Sequence, residues 1–128
     1  MKSFTTLLLL TITLSAMAQT KATIMNAIGS GDAEKVGQYM DRNIELCFDD
    51  KVDFMTKPQA KRALASFYEK NRPQSFETLH KGESKGEDSR YMIGRYKAHN
   101  GNTFRVYVFA KELGSGLIIQ EIRFDIQK

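Results

Sequence analysis

Three side chains in the last third of the chain have the types and spacing for recognition chemistry: Arg105, Tyr107 and Gln120. A guanidinium presents a planar fork of donors to a carboxylate, and a phenol and a carboxamide beside it add hydrogen bonds. Arg105 and Tyr107 lie in FRVYVFAKEL (104–113), where they alternate with Val106 and Val108 on the period of a β-strand. Set together in an apolar cavity, the trio would hold a small, acidic molecule. Tyr96 and His80 are further polar rings that a sheet could bring to the same place. The face of His80 stays open, because the loop that follows its strand has no defined length and one residue flips a strand's faces.

Other chemistries are poorly supplied. Cys47, in IELCF, is the sole cysteine, so no intramolecular disulfide forms, and its setting reads as a small apolar core residue. His80 and His99 are the only histidines and make no metal set. No cofactor motif and no catalytic residue is identified. The chain after Ala18 carries 18 Lys+Arg against 15 Asp+Glu, a net of +3. This charge is spread over both halves, whereas a nucleic-acid binder concentrates it in a stripe.

The elements that must position these residues follow from periodicity and caps. The segment 20–28 has helical spacing and is interrupted by Gly29-Ser30-Gly31. Asp32 caps a second helix, AEKVGQYM, with Val36, Tyr39 and Met40 as its buried stripe. A strand pair follows, 44–48 and 52–55 around the turn Asp49-Asp50-Lys51. Thr56 and Gln59 then form a capping box for the helix ending near Arg72-Pro73. Four long strand-like runs complete the chain (76–84, 90–98, 103–112 and 117–126), joined by KGED, HNGN and LGSG. Helices followed by a meander of strands make an α+β layout, with helices on one face of a four-stranded antiparallel sheet plus a short strand pair.

Asn100-Gly101 predicts a two-residue type I′ hairpin. That register sets Arg105 opposite Tyr96, and the next hairpin sets it opposite Phe124. Alternation then gathers Met92, Gly94, Tyr96, Arg105, Tyr107, Phe109, Ile118, Gln120, Ile122 and Phe124 under the helices. Tyr91, Ile93, Val106, Val108 and Ile119 become the apolar centre of the outer face, and a homodimer through that face is expected.

The first 18 residues read as a secretory signal peptide: Lys2, an apolar run to Leu14, and Ala16-Met17-Ala18 for cleavage. The run is shorter than the ~20 residues of a membrane span. Residues 19–128 are then one exported domain, periplasmic or extracellular, with no membrane span.

Four stretches carry a resemblance: GDAEKV (31–36), TKPQAKRALASFYEKNRPQSFETLHKGESK (56–85), YMIGRY with GNTFRVYVFAKE (91–96 and 101–112), and LIIQEIRFDI (117–126). They resemble a family of small exported proteins of unknown function, found mainly in Bacteroidetes. The layout is similar to the nuclear transport factor 2-like fold, also called ketosteroid isomerase-like or cystatin-like. The resemblance implies a conical pocket between the helices and a curved sheet, and frequent dimers through the outer face. It implies no activity. The resulting expectation is a non-catalytic module that binds a small ligand or a protein. The alternative is an isomerase or dehydratase acting on a small apolar compound, with Tyr107 as the oxyanion-stabilising phenol. Its weakness is the base: Asp49, Asp50 and Asp53 fall in a turn and a short strand, and Glu121 falls on the opposite face.

Overall fold

The computed structural model describes residues 20–83, 88–114 and 116–128, with the side chains of 80–83 outside that description. The expected signal peptide and most of the KGED loop lie outside the described residues. Local chemistry sets the helix boundaries. Residues 20–30 form α1, which ends in a Schellman cap: the Asp32 N–H bonds the Ala27 carbonyl at 3.1 Å, and the Gly31 N–H bonds Ile28 at 3.4 Å. The left-handed residue this needs is Gly31, at φ +74°. The helix therefore runs through Gly29 and Ser30. Asp32 caps α2 (Ala33–Gly37) as expected, accepting from the Lys35 N–H at 3.0 Å. The Thr56–Gln59 capping box opens α3 (Lys57–Lys70), with Pro58 in its first turn.

The strands are β1 (Met40–Phe48), β2 (Lys51–Thr56), β3 (Pro73–Glu83), β4 (Ser89–Ala98), β5 (Thr103–Leu113) and β6 (Gly116–Gln127). Met40, expected on a helix, instead begins β1, paired with Ile119. The strand order is β2-β1-β6-β5-β4-β3. Every pairing is antiparallel except β1 with β6, which is parallel. That one parallel contact merges the strand pair and the meander into a single six-stranded mixed sheet. Ile24 and Ile28 of α1 and Leu64 and Tyr68 of α3 pack on its inner face, in one core with Ile44, Leu46, Met92, Tyr96, Val106, Val108, Ile122 and Phe124.

Two registers differ from expectation, and both differences have a cause. The β4–β5 hairpin closes on Ala98 and Asn102, with a 2.8 Å bond from Ala98 N–H to the Asn102 carbonyl. Its loop is three residues, His99-Asn100-Gly101, and only Gly101 has positive φ. This is a turn followed by a left-handed glycine, and the end of α3 selects it. The His99 N–H donates to the Arg72 carbonyl at 2.8 Å. The Asn100 carboxamide donates to the Lys70 carbonyl at 2.9 Å and to the Asn71 side chain at 2.8 Å. The added loop residue slips β5 by one place against β4, so Tyr96 faces Phe104 and Arg95 faces Arg105. Farther on, Gln120 is an extra residue in β6, a bulge against Phe109 and Ala110. It lets both Ile119 and Ile122 point inward, each fully buried.

Candidate functional site

Slipping β5 exchanges its two faces. Val106 and Val108, expected outside, are fully buried under the helices, and so is Ile119. Arg105 is exposed and Tyr107 half-buried, both on the outer face, opposite Arg95 and Ile93. The Arg105 guanidinium carbon lies 5.7 Å from the Tyr107 ring centroid, a cation–π contact. Gln120 is not with them: its amide donates to Asp41 at 2.9 Å. Tyr96 is inside as expected, but its hydroxyl donates to the Asn71 carbonyl at 2.5 Å, and burial pushes its phenol well above the ordinary range. His80 lies opposite Ile93 in β3, and its side chain is outside the described residues. The expected trio therefore does not converge. Tyr91 and Ile93 do lie on the outer face, as expected.

Between the helices and the sheet the space is filled by the chain's own rings. Phe67 of α3 stacks on Phe48 at 5.0 Å, lies tilted against Phe124 at 4.4 Å and meets Phe104 edge-on at 5.0 Å. Tyr68 donates its hydroxyl to the Ile28 carbonyl at 2.7 Å, and burial raises its pKa, helped by Tyr96. What remains is a depression of about 450 Å³ at the mouth, walled by Phe48, Phe67 and Phe104, with Lys70 and Asn102 at the rim.

The outer face is arranged in rows across the strands. One row runs Phe54, Glu45, Glu121, Phe109, Tyr91. The next is Val52, Cys47, Arg123, Tyr107, Ile93, and the third is Asp125, Arg105, Arg95, Glu77. Tyr91 packs edge-on against both Tyr107 (6.5 Å) and Phe109 (6.2 Å). Tyr91 is 37% exposed, Val52 47% and Phe54 76%. Cys47 is buried on this side of β1 between Val52 and Arg123, its thiol donating to the Asp49 carbonyl at 2.9 Å. Desolvation raises the Glu121 pKa, and the neighbouring Glu45 adds to the shift. Sequence reading missed Phe109, Glu45 and Phe54 as members of this face. The spacing of Phe109 from Tyr107 signals a shared side, but the side itself depends on the slipped hairpin.

This inner-packed, outer-aromatic sheet, with three helices among the described residues, is a nuclear transport factor 2-like, cystatin-like fold. A protein of that type from Cytophaga hutchinsonii matches at TM-score 0.62 and 13% identity, over 86% of this chain and 94% of its own. The chain belongs to the family described as a domain of unknown function, DUF4783, whose profile matches residues 21–125. A member from Bacteroides ovatus is similar at 29% identity and TM-score 0.77, covering 84% of this chain and 94% of that one. Another, from Bacteroides uniformis, is 23% identical with TM-score 0.77, covering 84% and 96%. No curated protein matches the chain. Among the described residues no helix is long and apolar enough to cross a membrane.

Proposed function

We propose that the protein is an exported, non-catalytic interaction module, joined as a homodimer through the outer face of its sheet. The observation that carries this reading is the pairing of rows on that face. Phe109 and Tyr91 lie on one side of the Tyr107 row, and Arg105 and Arg95 lie on the other, on the same two strands. A two-fold axis across the strands beneath Tyr107 sets the aromatics of one copy over the arginines of the second, and the reverse. Guanidinium groups stack on aromatic faces, and aligned sheets pack about 10 Å apart. Over β4 and β5 the face is therefore self-complementary, while on β6 the same axis brings Glu121 toward Asp125 of the second copy.

Phe54 and Val52 extend the surface along the edge strand β2, where a second envelope protein has apolar area to meet. The isomerase reading required the Tyr107 phenol inside the cone, and Tyr107 faces outward, so that reading loses its residue. Light scattering coupled to size-exclusion chromatography tests the dimer. Twice the chain mass is expected for the wild type, and one chain mass for Tyr91→Asp. A monomeric wild type at high concentration contradicts the reading. Mass spectrometry of the exported product tests the leader, with a chain beginning at Gln19 expected.

A further inference from the structure

The two irregularities of the sheet coincide. After Met40 pairs with Ile119, β1 rejoins β6 only at Glu45 and Glu121, so residues 41–44 lie opposite Gln120 alone. Gln120 is also the bulged residue against β5. Bulges in both directions at one residue open the sheet there, and bulges gather where a strand must re-aim a side chain. Gln120 reaches into the gap and holds one oxygen of Asp41 at 2.9 Å, while the Arg42 N–H holds the other at 2.7 Å. The gap continues into a groove of about 730 Å³, within the range of small-molecule sites.

The chemistry of the groove has two parts. Met40, Ile118, Pro58 and Leu113 make an apolar floor and wall. Met40 is almost fully buried, and Leu113 stands 49% exposed on the β5–β6 hairpin. Arg42 and Lys57 line the same groove. Neither forms an ion pair among the described residues. The Gln120 bond, then the Arg42 amide, keep the Asp41 carboxyl below its usual range, so it stays ionised. Arg42 and Lys57 add their positive charges to that lowering, so Asp41 offsets one of the two cations and the groove keeps an excess of one positive charge toward a ligand.

We infer that this groove binds an amphipathic carboxylate, its chain along Met40, Ile118 and Leu113 and its head between Arg42 and Lys57. The site shares no residue with the aromatic mouth at Phe67. The probe is sodium octanoate, followed by methyl NMR of the full exported chain, with octan-1-ol and octyltrimethylammonium as comparisons. Octanoate is expected to shift the Met40 and Ile118 methyls saturably, with the alcohol about tenfold weaker and the cation without effect. Arg42→Gln and Lys57→Gln each weaken octanoate about two- to fivefold, the scale of one partly exposed charge contact. Arg72→Gln, exposed beyond the far end of α3, leaves it unchanged. The inference is overturned if the alcohol matches octanoate, if both glutamine variants bind as the wild type does, or if the shifts centre on the Phe67 mouth instead.

Discussion

At Tyr96 a single hydroxyl links the sheet to the last turn of α3. The ring is fully buried and its oxygen donates to the Asn71 carbonyl. Tyr96→Phe keeps the ring but leaves that carbonyl unpaired, which costs about 1–3 kcal/mol. For a domain of this size each kcal/mol moves the melting midpoint about 4 °C, and a differential scanning measurement is expected to show such a fall. An unchanged midpoint would mean that the carbonyl finds another partner. Glu121 gives a pH-dependent prediction. Its folded pKa is raised, by desolvation and then by Glu45, so the folded state binds the proton more tightly than the unfolded chain does. Its contribution is therefore fully present below the ordinary carboxylate pKa and is lost as pH rises through the folded value. Glu121→Gln should raise the melting midpoint at pH 7 and leave it unchanged near pH 4, measured where the chain is monomeric. The opposite order would refute the raised pKa.

On the level of elements, α1 and β3 meet through a missing side chain. A Cβ built on Gly29 lies 2.6 Å from the Phe76 Cβ and 2.4 Å from its Cγ, the rigid root of that ring. Helix propensity alone favours alanine at Gly29 by about 1 kcal/mol. Overpacking costs about 1–3 kcal/mol and should win, so Gly29→Ala lowers stability in urea unfolding. In a Phe76→Ala background the same change is expected to raise stability. If Gly29→Ala stabilises the wild type, the close approach is not rigid.

The elements also show what was legible in the sequence. The Asp32 cap, the Thr56–Gln59 box and the four long strands are written in residues within a few positions of one another, and they stand where expected. The faces of β5 and of β6 before its bulge were not legible, whereas Ile122 and Phe124 lie inside as expected. Asn100-Gly101 favours a two-residue turn locally, but Lys70, Asn71 and Arg72, about 30 residues away, hold a three-residue one. The bulge at Gln120 likewise answers to Asp41, 79 residues earlier. A shift of one residue in each place moved Arg105 and Tyr107 out of the candidate pocket and the valines into the core.

For the whole molecule, these shifts turn a cone expected to hold a ligand into one filled by Phe67, Tyr96, Phe104 and Phe124, and they transfer the aromatic and cationic side chains to the outer surface. The most direct test of that surface is sedimentation equilibrium of two variants at one site, Phe109→Lys and Phe109→Glu. Within a single copy, residue 109 neighbours Glu121, so lysine suits the monomer and glutamate strains it. Across the proposed two-fold axis it meets Arg105 of the second copy, where the order reverses. The expected result is a dimeric wild type, Phe109→Lys largely monomeric, and Phe109→Glu associating at least tenfold more tightly than the lysine variant, about 1.4 kcal/mol. A monomeric wild type, or a lysine variant that associates as well as the glutamate one, would contradict the dimer through this face.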